Sequence, residues 1–564
     1  MLADWLVIIV YLSILALIGI WAARKIRTAS SFFISERNFG KIMMTFFNFG
    51  TGTNTDQAVT VVSKTHAVGA SGIWYQWLWL FATPFYWLLA PLFRRMRAVT
   101  TADYLFVRYG QSVAVLFAMV GMVQLSVNIG VTLKASSALI TGVTGGAISP
   151  ALAIFALTGL FVFYGVLGGL KAAIITDFIQ GILTVILSFL ILPFVLNAVG
   201  GLAGLRTAVG DPKVFSIVAP DEITKLYIIV IAVNGLIGWV TAPYTMAMCG
   251  AGRSEQDSRV GLVCGMFLKR ICTIAWVLTG LCGIALYAGR SVDSDHVWGM
   301  LGSDFLPKIA PGLVGLFVAS MLAAVMSSCD CFMVSSAALF TENIYKPLIR
   351  PGRDEKHYIL IGRIASVVVV ACGIIIAFRL SGVVQGLEIF WKVHAMMGIA
   401  IWASFFWRKA TAAGAWGSTL SGFAALFFTS KIAFVRWSWD FNARFAHFLP
   451  DFMLHNGELS MPWQMIFYLT VGLVVMVGVS LFTKPPAKEK LDRVYECLRT
   501  PVMPGEPEVE PLTLPEGVKP APRSVLIKHP DFEIMKPSVV SAVGFLVSCL
   551  GVGLLIAAFI WILK

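Results

Sequence analysis

Runs of about twenty apolar residues recur along nearly the whole chain, each long enough to cross a bilayer's hydrocarbon core of about 30 Å. Lipid offers a backbone no hydrogen-bond partner, so such runs are helices. About fourteen can be read, at 5–23, 41–65, 70–93, 112–138, 150–169, 174–199, 226–249, 259–288, 309–344, 357–380, 383–405, 410–430, 464–483 and 539–563. A mean hydropathy of +0.82 with 13% charged residues lies far outside the range of soluble domains. The chain is an all-α integral membrane protein.

Charge gives the spans a direction. Lys and Arg gather in alternate connections: Arg24, Lys25, Arg27 and Arg37; Arg94, Arg95 and Arg97; Arg253 and Arg259; Lys346, Arg350, Arg353 and Lys356; Arg408 and Lys409; Lys484, Lys488 and Lys490. The loops between them are uncharged (TGVTGGAISP) or acidic (SVDSDHVWGMLGSD). Under the positive-inside rule the basic loops are cytoplasmic and both termini lie outside the plasma (cytoplasmic) membrane. Asp4 precedes the first span and the basic cluster follows it, the reverse of a signal peptide, so this span is expected to be retained. The net charge of +13 is accounted for by cytoplasmic loops facing anionic lipid and requires no nucleic acid. Residues 484–538 are Pro-rich and aperiodic, which predicts a mostly extended cytoplasmic loop with a short helix near LDRVYECL. Of nine cysteines only Cys497 lies clearly outside a span, which argues against a disulfide framework. Cys329-x-Cys331 reads as two small packing residues rather than a metal site.

Two stretches break the apolar pattern. FNFGTGTNTDQAV (47–59) places two glycines and three threonines where a helix should be regular. A helix interruption at membrane depth survives only where the freed backbone lines a cavity or binds something, and unwound carbonyls and hydroxyls suit a hard cation such as sodium. AAVMSSCDCF (323–332) sets hydroxyls, thiols and an acid inside another span. Ala324, Ser327, Ser328, Cys331 and Ser335 follow i, i+3, i+4, i+7, i+11 spacing and share one helix face. Such a stripe serves close helix packing or binding.

Several segments together resemble the sodium/solute symporter family, relatives of the bacterial sodium/proline and sodium/galactose symporters. AAVMSSCDCFMVSSAALFTENIYK (323–346) resembles its cation-site helix, and YGVLGGLKAAIITDFIQG (164–181) its Gly-Gly-leading, Thr-Asp-containing segment. VTTADYLFVRYG (99–110) and WRKATAAGAWGS (407–418) resemble its loop signatures. The resemblance covers about residues 5–430 and implies a leucine-transporter-like core of two five-helix inverted repeats with flanking helices. The expected organisation is an N-terminal helix and loop (1–40), the transport core (41–405), flanking helices (406–483), the Pro-rich loop (484–538) and a last transmembrane helix (539–564).

The resemblance also implies sites. Gly52, Thr55 and Ala324 match carbonyl ligands of sodium (Na+), and Ser327 and Ser328 match hydroxyl ligands. Five neutral oxygens suit sodium and not a transition metal. Asp177, Asp330 and Cys331 stand where some members build a second cation site, although the acid at Asp330 replaces an expected hydroxyl. It either binds cation or is held by neighbouring donors. Asn54, Gln76, Trp239 and Tyr244 match positions near the substrate cavity, with Ala242-Pro243 replacing the family's Asn-Gln pair and Gln76 replacing a sugar-contacting acid. Trp239 is equally well read as packing. Lys64, His66, Lys392 and His394 are expected to reach a hydrated vestibule.

The implied function is sodium-coupled import of a small organic solute by alternating access, in a bilayer and with no oligomer required. Proton coupling through Asp330 or Asp56 is the alternative mechanism, and a non-transporting sensor derived from the family is another. The sequence holds no zinc motif or nucleophile–base set for an enzyme, GVLGGLK lacks the Gly-Lys order of a phosphate loop, and no kinase-like region follows. The span order is checked by cysteine labelling in a background whose native cysteines are blocked. Cysteines placed at Gly146 and Ser303 are expected to react with an impermeant thiol reagent from outside, and those at Arg95 and Pro515 only from the cytoplasmic side. Outside labelling at Pro515 would overturn the count.

Overall fold

The computed structural model describes residues 2–23, 39–219, 222–434, 437–507 and 509–564, without the side chains of 15–16, 18–23, 163–177, 432–434 and 437. The basic cluster at 24–37 and its loop lie outside the described residues. What is described is mostly helix, and eight helices within it are long and apolar enough to cross a membrane. The other spans expected from sequence coincide with shorter or interrupted helices, and the interruptions carry the architecture.

The span expected at 41–65 is two helices, α1 (Lys41–Gly52) and α2 (Thr55–Val68), joined by Thr53 and Asn54 in extended conformation. Glycine and β-branched threonine both weaken helix interiors, and GTGTNT concentrates them. The span expected as continuous at 226–249 is also broken, into α3 (Lys225–Trp239) and α4 (Thr245–Gly250). Pro243 explains this: it has no N–H to donate and disfavours helical geometry at Ala242. Next come α5 (Glu255–Leu286) and α6 (Leu313–Phe340), the latter running into a π-helical stretch, Thr341–Ile349. The spans read at 150–169 and 174–199 fall in one run of helix, Pro150–Leu190, followed by Leu192–Ala198. α6 packs along that run, and α5 packs against α1.

The alternate loops gather at opposite ends of the bundle. At one end the backbone of Phe39 bonds to Ala251 and Arg253, Arg95 pairs with Glu255 at 2.7 Å, and Arg108 donates to the carbonyl of Ala410. At the other end Ser63 bonds to Asp295 at 2.6 Å, Lys64 pairs with Glu222 at 2.6 Å, and His66 meets Ser294 at 2.9 Å.

Residues 484–538 lie across the first of these ends as a strap, with the one helix expected in it at Lys488–Arg499. The strap is fastened by ions and backbone bonds. Arg97 pairs with Glu506, the Leu512 N–H bonds to the Met96 carbonyl at 2.9 Å, and Arg408 reaches both Asp492 and Glu533. Glu533 is 3% exposed and also accepts from Arg523 at 3.1 Å. Removing one partner of a fully buried pair costs about 3–5 kcal/mol. Because Arg408 keeps Asp492, Glu533→Ala is expected to cost less, about 2 kcal/mol, read as a lower melting temperature of the purified protein in detergent. Lys409→Ala breaks a half-exposed pair with Asp531 and is expected to stay within about 0.5 kcal/mol of the parent. Equal melting temperatures for the two variants would refute an anchoring role for Glu533.

Candidate functional site: the two broken helices

At the end of α1 the last carbonyls have no helical donors, and side chains from two other helices serve them. The Ser328 hydroxyl donates to the carbonyls of Gly50 at 3.2 Å and Thr51 at 3.5 Å. The Lys269 ammonium, on α5, donates to the carbonyl of Gly52. On the far side of the break the Thr55 hydroxyl donates to the Met321 carbonyl at 3.3 Å. α6 is therefore tied to the broken helix both before and after the interruption.

Four of the five residues expected to hold sodium are fully buried here: Thr55, Ser327 and Ser328 at 0% exposure and Ala324 at 1%. The Ser327 hydroxyl and the hydroxyls of Thr51 and Thr53 have no hydrogen-bond partner among the described residues. Buried hydroxyls are almost always satisfied, so three orphans beside freed carbonyls mark a polar centre with unused oxygen. The fifth residue, Gly52, is spoken for differently, since its carbonyl faces the Lys269 ammonium. The carbonyls that meet Ser328 belong to the two residues before Gly52. Asp330 and Cys331 are buried on the same helix, while the side chain of Asp177 lies outside the described residues. Among the described residues no three His, Cys, Asp or Glu side chains group as a metal site.

A narrow cavity, with ≈ 50 Å³ of room for water, lies between the two interruptions. Asn54, Trp239 and Tyr244 line it, as expected, and Gln76 does not. Gln76 is instead fully buried with both amide atoms unpartnered. Asn54 donates to Thr132 at 3.0 Å, Trp239 packs on Tyr86 with ring centroids 4.4 Å apart, and Tyr244 packs on Phe332 at 5.4 Å. His394, expected in a vestibule, is 4% exposed and lines this cavity. Two larger grooves are almost wholly apolar and formed by outward-facing residues such as Ile229, Leu473, Val543 and Val547, the surface lipid would cover.

Sequence reasoning passed over the two most consequential side chains. Lys269 and Arg270 stand at the middle of α5, are 4% and 1% exposed, and face the cavity together with Asp56. The signal was present: two adjacent cations at mid-span in GMFLKRICTI are as anomalous as the serine pair. Thr51 and Thr53 were likewise legible in the alternating threonines of TGTNT.

A helical membrane protein with two interrupted helices side by side around a polar centre has the build of a secondary transporter. The model of the family described as "Sodium:solute symporter family" matches residues 32–422. The chain belongs to that family. It is 28% identical over 273 residues to the sodium/glucose cotransporter of Vibrio parahaemolyticus, covering 44% of this chain and 45% of that protein. It is 25% identical over 288 residues to the high-affinity proline transporter PutP of Bacillus subtilis, covering 50% of this chain and 54% of that one, so the match spans about half the length of these relatives. The sodium/pantothenate symporter of Haemophilus influenzae is 24% identical over 451 residues, 75% of this chain and 90% of that one. Among solved structures, a Na+-coupled sialic acid symporter in a substrate-bound outward-open state superimposes with a TM-score of 0.67 at 17% identity, over 86% of this chain and 98% of that one. That likeness establishes the fold.

Proposed function

We propose that the protein is a sodium-coupled symporter that imports a small organic solute across the plasma membrane by alternating access. The observation that carries this reading is the junction of α6 with the break in α1–α2. There the Ser328 hydroxyl meets the carbonyls of Gly50 and Thr51 at the end of α1, and the Ser327 hydroxyl is buried without a partner among the described residues. The sodium set is Ser327 and Ser328 through hydroxyls and Gly52, Thr55 and Ala324 through carbonyls, with Asp177, Asp330 and Cys331 as a second cation site. Family membership and relatives named as sodium-coupled carriers support the choice of ion.

The core is two inverted five-helix repeats within about fourteen spans, with both termini outside. Support comes from the placement of the breaks, since α1–α2 and α3–α4 each open a set of five and interrupted segments at corresponding places in two halves point to a binding site. The Pro-rich strap sits with the basic loops, which the positive-inside rule makes cytoplasmic.

One observation favours a second reading. The Lys269 ammonium already occupies the Gly52 carbonyl, so a protonated lysine could take the role of the ion, with proton coupling as the result. In reconstituted vesicles, uptake driven by a sodium gradient at equal pH supports the first reading, and uptake driven by a pH gradient without sodium supports the second.

Ser327→Ala and Ser328→Ala each remove one hydroxyl ligand. A loss of about 1–3 kcal/mol corresponds to apparent sodium affinity weaker by roughly ten- to hundredfold, with solute affinity in saturating sodium recovering towards the parent because coupling is reciprocal. Ser336 bonds to its own helix at Met333, and Ser336→Ala serves as the control. Parental sodium dependence in both variants would move the ion elsewhere. For the second site, Asp330→Asn is expected to weaken sodium activation or change its pH dependence, and unchanged kinetics from about pH 5 to 8, bracketing the range in which a desolvated carboxylate titrates, would make Asp330 a packing residue.

A further inference from the structure

The lining of the cavity between the two broken helices carries more cationic than acidic side chains. Among the described residues that line the cavity, the ionisable groups are Asp56, Lys269, Arg270, His394, Tyr86 and Tyr244. Asp56 is the one acid. Lys269 and Asp56 sense each other electrostatically, and with both ionised their charges cancel. Arg270 remains, and a guanidinium does not give up its proton in a protein.

Arg270 stands at the midpoint of α5 and is 1% exposed. Its Nε and Nη1 atoms have no hydrogen-bond partner among the described residues, and no described carboxylate forms an ion pair with it, in contrast to Arg95, Arg97 and Arg408 at the end of the bundle. Its neighbour Lys269 shows what a satisfied cation looks like in the same place, with its ammonium on the Gly52 carbonyl and over the Trp79 ring at 5.5 Å. A buried charge without a partner is costly. A planar fork of donors turned to a cavity matches an oxyanion that can accept two parallel hydrogen bonds. The remaining walls, Trp239, Tyr244, Phe332 and Phe390, offer aromatic surface for an organic body.

We propose that the solute is a small organic carboxylate, held through its oxygens by the guanidinium of Arg270 between the two broken helices. This rests on the transporter reading of the same cavity and names the chemical class that reading leaves open. It also gives the sodium site a further role: a cation beside Ser327 and Ser328 and an anion on Arg270 enter the low-dielectric centre together, each lowering the cost of burying the other.

The test uses the full chain in vesicles and in detergent. Acetate, butyrate and benzoate are the probes, each paired with its neutral amide, with glucose as a further competitor. Sodium-driven uptake of at least one carboxylate is expected, with its amide competing at least tenfold more weakly. Arg270→Lys keeps the charge but loses the fork, and a KM at least ten times higher is expected with a smaller change in kcat. Arg270→Gln is expected to abolish carboxylate uptake while its melting temperature without solute equals or exceeds the parent's, because an unpaired buried charge has been removed. Sodium should still raise that melting temperature, since the serine site is intact.

If the amides or glucose compete as well as the carboxylates, or if Arg270→Gln takes up carboxylate normally, the anion assignment is wrong while sodium coupling stands. A melting temperature of Arg270→Gln well below the parent's would assign the guanidinium a structural role and also overturn it. If carboxylate but not sodium stabilises the parent, the sodium reading fails and the anion assignment survives.

Discussion

A backbone at membrane depth must find every hydrogen bond inside the protein, and the rest of this structure depends on how two stretches meet that condition. At Thr53–Asn54 and at Val240–Tyr244 the helical ladder stops inside the bundle. The first break is served by Ser328 and Lys269, which take the carbonyls of Gly50, Thr51 and Gly52. The second serves itself and its neighbour: Thr241 donates to the carbonyls of Gly238 and His394, and Thr245 to that of Trp239. These substitute donors fix α5 and α6 against the broken helices, so packing, cavity and candidate ion site share one origin.

The substitute bonds also make the centre exchangeable. A helical ladder bond is one of many in series, whereas a hydroxyl-to-carbonyl bond is a single contact of about 1 kcal/mol net. An ion or a solute can replace such a contact at little cost, and the helices on either side can then move as bodies. The ends of the bundle are held differently. The strap at 484–538 is anchored by buried carboxylates, Glu506 and Glu533, to arginines of the short loops. Strong fastening at the edge and exchangeable bonds at the centre are what rigid-body rocking about a fixed site requires.

Much of this was legible in the sequence, for reasons that can be named. The apolar runs gave the helices because hydrocarbon thickness sets a length that soluble proteins have no cause to repeat. GTGTNT gave the first break, since glycine and β-branched threonine lower helix stability where nothing else requires them. AAVMSSCDCF gave the helix that faces it, because polar groups in lipid need partners. The break at Pro243 was passed over because the hydropathy of 226–249 is continuous and a proline inside a membrane helix is tolerated when neighbours satisfy the freed groups. Lys269 and Arg270 were passed over for a related reason, as two adjacent charges at the middle of a long span leave its average apolar.

The sequence by itself determined that the chain is a helical membrane protein, that the segment around GTGTNT is interrupted, which serine pair is anomalous, and, through several matching segments, the family. These are properties of composition and local spacing, and they do not depend on which helix lies beside which. Only the tertiary structure decided that Ser328 meets Gly50 and Thr51, that Lys269 occupies the Gly52 carbonyl, that Gln76 stands away from the cavity while His394 lines it, and that Arg270 faces that cavity with Nε and Nη1 unpartnered among the described residues. Each of these depends on the rotation of one helix against another. A turn of 100° per residue moves a side chain from lipid to centre, and that angle is set by packing across the whole bundle rather than by any local stretch of sequence.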